Sequence, residues 1–190
     1  MVVYILFIKA DLEGVASVAL KQQKMANLCI SVRNPMDHTE VRERVVIEFG
    51  EPAHAPPADA AGHHPGHAKK VHQEQPSHFA LKWGGAQTRS TVKVLSKDGQ
   101  QDVVGRKQKP TRDMLAVDSG TFVPMLALEC DGVEPYAFHG AEFIVSNKAG
   151  MQYDPVDLSA SSAWKEYDRK LQLRISTNHC LNLASDHAFL

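Results

Sequence analysis

The sequence predicts a mainly β fold, a sandwich or distorted barrel built from two related halves with little helix. Three observations carry that expectation. Short runs with apolar residues at alternate positions recur along the chain, as half-buried strands require. Glycine, proline and Asn/Asp turn signals separate them. One amphipathic plan also occurs twice. In residues 120–130, Phe122, Leu126, Leu128 and Cys130 share a face; Val123, Met125 and Ala127 share the other until Glu129 and Asp131 turn it to water. In residues 2–12, Leu6, Ile8, Ala10 and Leu12 stay apolar against Val3, Ile5, Phe7, then Lys9 and Asp11. Both runs exit through Gly-Val, at Gly14-Val15 and Gly132-Val133. The chain therefore reads as one domain, 1–190, of two related halves, about 1–118 and 119–190.

Residues 2–10 form the first strand. Residues 12–24 connect onward, and the short apolar spacing of Val15, Val18 and Leu20 suits either a strand or an edge loop. A strand at 28–32 meets the polar break Arg33-Asn34-Pro35-Met36-Asp37, where proline lacks the donor a ladder needs. Residues 41–49, with Val45, Val46 and Ile47, make the next strand. Residues 50–78 break the pattern. They hold Pro52, Pro56, Pro57, Pro65 and Pro76, several alanines and six of the ten histidines, with almost no large apolar side chain. Such a segment cannot bury enough surface to offset its ordering entropy, so a mobile insertion is expected. Residues 79–83 resume as a strand, Gly84-Gly85 reads as a two-residue hairpin turn, and 86–95 returns. Lys97-Asp98-Gly99 is a turn, and 100–118 is a polar connector. After Pro135, residues 143–145 form a short strand and Asn147-Lys148-Ala149-Gly150 a turn. Residues 153–158 alternate again. Trp164, Tyr167 and Leu171 stand at helical spacing after Ser159, a possible N-cap, which predicts a short helix over 159–170. Leu171, Leu173 and Ile175 close the fold as a strand.

Composition excludes several classes. A net charge of −1 gives no basic footprint for nucleic acid and no tether to an acidic membrane surface. No apolar run approaches the ~20 residues that span a bilayer. The run at 2–8 lacks a preceding positive region and a following cleavage site, so it reads as a strand and not as a signal peptide. Cys29, Cys130 and Cys180 are odd in number and far apart, so they make no disulfide framework. A cytoplasmic monomer with a protein partner is the expectation.

Several side chains in the sequence are of types that carry chemistry. His63, His64 and His67, with His54, His72 and His78 nearby, are of a type that suits zinc, copper or nickel. Pro65 and Gly66 interrupt any helical face there, and Asp59 is the one carboxylate placed to support them, so a weakly binding polar loop is the favoured reading. Its histidines titrate near pH ~6.5, so it gains positive charge on mild acidification. Cys130 falls on a buried face and Cys29 alternates with apolar neighbours, as small hydrophobes do. His179 and Cys180 are adjacent, which in a strand points them apart. Glu129, Asp131 and Glu134 read as a solvated strand end and turn. His139 stands alone, and Gly84-Gly85 lacks the spacing of a phosphate-binding loop. Lys69-Lys70 and Arg106-Lys107 read as scattered surface charge. No catalytic constellation emerges, and the chain reads as a non-enzyme.

The C-terminal half carries a resemblance. LECDGVEP at 128–135, the turn and strand at 150–158, and Trp164-x-x-Tyr167-Asp168 resemble the eukaryotic CXXC motif-containing zinc-binding protein family, and Leu12-Glu13-x-Val15 fits that family's start. The resemblance implies a small cytoplasmic β-rich protein of pseudo-twofold halves, with one zinc held by four cysteines from two CxxC knuckles. It places the first knuckle within LCISVRNPMD at 28–37, with Val32 and Pro35 at ligand positions. The second lies in KWGGAQ at 82–87, with Trp83 and Ala86 at ligand positions. None of the four donates a thiolate or imidazole, whereas structural zinc wants four closed Cys or His ligands. The expectation is loss of the zinc, and no cofactor in its place. Since such a site contributes on the order of 10 kcal/mol to folding in small zinc domains, something must compensate. A Gly-Gly turn and a Trp83 packed against the 32–37 turn are the expected means. The functional reading is a binding or scaffold protein, and the alternative is a metal-handling protein using the histidine loop.

Overall fold

The computed structural model describes residues 1–21, 26–50, 52, 76–95, 111–158, 163–166, 171–176 and 182–183. His63, His64 and His67, most of the 50–78 segment, the turn at 97–99 and the His179-Cys180 pair lie outside the described residues. Two antiparallel sheets enclose one core. The first runs β11 (Ala163–Glu166), β12 (Leu171–Ser176), β1 (Val2–Glu13), β8 (Phe122–Asp131), β6 (Ser90–Leu95), β5 (Phe79–Leu81), with β13 (Asn182–Leu183) also beside β1. The second runs β4 (Val41–Glu48), β3 (Asn27–Arg33), β9 (Glu134–Asn147), β2 (Val15–Leu20), β7 (Met114–Leu115), with β10 (Gln152–Asp157) also on β9. Leu6, Ile8, Leu126 and Leu128 from the first sheet meet Leu28, Ile30, Ile47 and Phe143 from the second.

The two strands that share a plan lie side by side, β1 against β8 at the centre of the first sheet. Each then passes to the second sheet through a glycine in the left-handed region, Gly14 at φ 70° and Gly132 at φ 64°. β2 and β9, which follow, also pair with each other.

Several expectations need correcting, and the reason is usually register. Opposite Leu6 and Phe7 stand Leu126 and Pro124, so Met125 is an extra residue in β8. Such a bulge resets which side chains face in. Val123 therefore joins the core, while Phe122, expected on the buried face, is 47% exposed with the Lys9 ammonium 5.9 Å from its ring centre. Of the two options for the 12–24 connector, its described part takes the strand through Leu20: Leu12 and Glu13 still pair with β12, and Val15, Val18 and Leu20 are buried in β2. Their uneven spacing comes from a bulge at Ala16, between the pairs Val15–Asn147 and Ser17–Ser146. The 143–145 strand is the middle of the longer β9, whose bulges hide its alternation. The strand predicted at 86–95 starts at Ser90, because Ser90 is the residue opposite Leu81. Within the predicted helix, residues 163–166 are strand β11 along β12. A helix that short is marginal unless packing supports it, and here β12 offers a ladder instead. Trp164 packs against Tyr153 in a tilted arrangement, ring centres 5.1 Å apart and planes at 59°.

In the 100–118 connector, β7 and a 3₁₀ turn (Ala116–Asp118) are fixed by Asp118. Its carboxylate accepts both Arg112 guanidinium nitrogens at 2.6 and 2.7 Å and the Leu115 N–H at 2.8 Å. Those donors, Arg112 first, hold its pKa at about 2, against 3.8 for a free aspartate. The stabilisation is therefore complete above pH 3.8 and disappears as pH falls toward 2. With Arg112 half in water, about 1–2 kcal/mol is expected. Asp118→Asn should lose that amount in urea unfolding at pH 7 and flatten the fall in stability between pH ~4 and ~2; an unchanged acid limb contradicts the assignment.

Candidate functional site

Two places concentrate polar chemistry. The first is the end of the sandwich where the β3–β4 turn, the 82–89 loop and the β8–β9 crossover meet. In the loop, Ala86 N–H bonds the Trp83 carbonyl at 3.2 Å and Gly85 sits at φ 70°, a tight turn over Gly84-Gly85. Trp83 is turned inward and 4% exposed, and its indole N–H donates to the Gly132 carbonyl at 2.8 Å. The Arg42 guanidinium lies 5.5 Å from its ring centre. Arg42 is the register partner of Val32, which is fully buried in the core, whereas Pro35 is exposed at the turn and Ala86 is half-buried. A Cβ on Gly84 would stand 2.7 Å from Glu40 Oε1, so the two turns are in contact. Glu40 in turn accepts the Asn34 side-chain amide at 2.7 Å and closes the β3–β4 turn through its carbonyl, 2.9 Å from Asn34 N. Next to them Arg33 pairs with Glu134 at 2.6 Å, with His38 3.6 Å away. That carboxylate, after burial itself, helps push the buried Tyr4 hydroxyl up to about 12.

The second place escaped the sequence reading. The β3–β4 ladder shifts once and the β3–β9 ladder twice around Ser31, which leaves Tyr136 and His139 of β9 as extra residues. In β4, Arg44 takes φ 52° at the same spot. These bulges aim two side chains and one backbone N–H at one hydroxyl. Ser31 Oγ lies 2.7 Å from Glu43 Oε2 and 2.6 Å from His139 Nε2, and receives the Arg44 N–H at 3.1 Å. Tyr136 donates its hydroxyl to the other Glu43 oxygen. The Tyr136 and Ser31 donors lower the Glu43 pKa, and the same contact raises that of Tyr136. Glu43 is then a carboxylate that only accepts, so Ser31 gives it its proton. The two lone pairs of Oγ take Arg44 N–H and His139 Nε2–H, which fixes the histidine tautomer from the network. The serine, histidine and carboxylate resemble an acyl-transfer triad in composition. The roles differ, since histidine donates to the serine and the carboxylate contacts the hydroxyl, not the second imidazole nitrogen. Ser31 is also fully buried.

Beside this network is an open depression of about 480 Å³, bounded by Cys29, Arg44, Val46, Gly140 and Glu142 among others. Ser31, Glu43, Tyr136 and His139 are not among its lining residues. Cys130 is buried, which pushes its thiol pKa up, away from a reactive thiolate. Glu129 holds Lys93 at 3.9 Å, Asp131 the N-terminal ammonium at 3.2 Å and Glu134 Arg33, so the three carboxylates serve separate ion pairs. Among the described residues, no group of three or more His, Cys, Asp or Glu stands together where a metal ion would bind, and no helix is long and apolar enough to cross a membrane.

The fold recurs in solved structures. A hypothetical protein from Plasmodium falciparum superposes with a TM-score of 0.65 at 18% identity, over 96% of this chain and 98% of that one. C1orf123 does so with a TM-score of 0.65 at 13% identity, over 92% and 99%. In sequence, UPF0587 protein CG4646 of Drosophila melanogaster is 35% identical over 80 residues, 41% of this chain and 47% of that protein. The match thus spans about half of that relative. The model of the eukaryotic CXXC motif containing zinc binding protein family matches residues 5–180, and this chain belongs to that family.

Proposed function

We propose that the chain is a non-enzymatic binding or scaffold protein that works without the zinc of its family. The observation that carries this reading is the closed hydrogen bonding of Ser31: its proton goes to Glu43 and both lone pairs are used. A hydroxyl so placed has no lone pair to offer a substrate, and Ser31 is not among the residues that line the neighbouring depression. What remains for function is surface, and a monomer engaging a protein partner in the cytoplasm fits a chain of net charge −1. The metal half of the reading is supported by donor chemistry at the family positions. Val32 offers a buried methyl pair, Pro35 a ring, Ala86 a methyl, and Trp83 a donor already given to Gly132. None of them fits a zinc ion.

Two measurements on untagged protein test the proposal. A fluorophosphonate probe followed by intact mass is expected to give no adduct, and labelling of Ser31 would refute the non-enzymatic reading. Elemental analysis is expected to find zinc well below one per chain. Stoichiometric metal that survives deletion of residues 54–78 would put an ion elsewhere in the fold and overturn the zinc-free reading. Stoichiometric metal abolished by that deletion would favour metal handling through His63, His64 and His67.

A further inference from the structure

We propose that Trp83 is a metal-free clamp which fastens the β3–β4 turn and the 82–89 loop to the β8–β9 crossover, in the place where the family's ion would join two loops. The proposal rests on the zinc-free reading above and names the group that replaces the ion.

Two contacts of the indole and one close approach of the adjacent Gly84 make the case. The indole N–H holds the carbonyl of Gly132, at the point where the chain leaves one sheet for the other. The ring face carries the Arg42 guanidinium, which belongs to β4 and stands opposite Val32. The adjacent Gly84 lies so close to Glu40 that no side chain larger than hydrogen fits without moving it. Glu40 then passes the connection to Asn34 at the far side of the turn. An ion clamps loops by drawing four donors to one centre. An indole achieves a similar convergence with one directional donor at its edge, a cation-attracting face and a large apolar body. The indole is 4% exposed, so the N–H is shielded from competing water. A glycine pair beside it lets the loop close without a side chain in the way.

The test is amide hydrogen exchange read by mass spectrometry on the full chain, wild type against Trp83→Phe, each with zinc or with a chelator. Phenylalanine keeps an aromatic body and removes the donor. Expected is a rise in exchange of tenfold or more at both 34–40 and 132–133 in the variant. The wild type should show no change with zinc or chelator. A rise confined to the 82–89 loop overturns the clamp, as does a wild-type 34–40 segment that slows tenfold when zinc is added. Should Trp83→Phe fail to fold, the wild type still decides. Its Trp83 indole N–H should persist in D2O at least a hundredfold longer than free indole, and exchange at the free rate overturns the proposal. Zinc found by elemental analysis with the variant pattern intact would sink the zinc-free reading alone. No zinc and an unaffected 34–40 segment would sink the clamp alone.

Discussion

Replacing Phe143 by alanine is expected to lower the unfolding free energy by about 3–5 kcal/mol, the range for removing a large aromatic from a close-packed core. Phe143 is fully buried and sits where β9 is flanked on both sides, paired with Leu20 of β2 and with Val156 of β10. The neighbouring backbone is tied as well: Lys21 N–H donates to the Glu142 carbonyl at 3.0 Å. Strands held on both edges cannot easily move inward to fill a hole, so most of the cavity should remain. The measurement is urea unfolding followed by far-ultraviolet circular dichroism, with Phe122→Ala as the control. Phe122 is half in solvent on the outer side of the β8 bulge, and its truncation should cost less than about 1 kcal/mol. Equal losses for the two variants would mean that the bulge at Met125 does not reset the strand as described.

That comparison also marks how far the sequence could be read. Period-two alternation correctly located β1, β8, β3 and the Val45–Ile47 part of β4, because those stretches keep one face to the core for several residues. Its assignment of faces failed at several of the extra residues that enter the ladders, although the strands themselves were often located. Met125, Ala16, Tyr136 and His139 each shift the phase by one, and a pattern that counts by twos cannot hold its faces across such a residue, as Phe122 on the far side of Met125 shows. The same shifts concealed the Ser31 network. Ser31, Glu43, Tyr136 and His139 come from three strands, and no linear spacing joins them. The residual signal was Pro135 and Gly140 within a β-rich stretch, since proline and glycine inside a strand mark bulges. Trp83 was legible for another reason. The resemblance places it at a vacated ligand position beside Gly-Gly, and a large aromatic group there can fill the space that an ion would otherwise take. We read the common plan of β1–Gly14–β2 and β8–Gly132–β9 as the mark of two related halves, with divergence concentrated in what each half adds at its edges.

Gly132→Ala is the second substitution expected to have a large effect, and it separates backbone strain from crowding. At φ 64° an L-residue crowds its own carbonyl, which costs about 1–2 kcal/mol. The added Cβ would also stand 2.6 Å from Ser90 Oγ and 3.7 Å from Ser90 Cα, and Ser90 is buried in the first register pair of β6 with β5. Moving that side chain means moving a strand end or breaking its contacts. The carbonyl of Gly132 also receives the Trp83 N–H, so any shift of the crossover weakens that bond. Together these predict a loss of about 2–4 kcal/mol. Gly150→Ala supplies the comparison. Gly150 lies at φ 81° with no atom within 4 Å of the added methyl, so it should show the strain alone, about 1–2 kcal/mol. Adding Ser90→Ala to Gly132→Ala removes the blocking hydroxyl and should recover about 1 kcal/mol relative to the sum of the two single variants, a coupling visible in a double-mutant cycle. Zero coupling, or a Gly132→Ala loss no greater than that of Gly150→Ala, would show that the crossover does not press on β6. The strand exit would then owe its glycine to backbone conformation only.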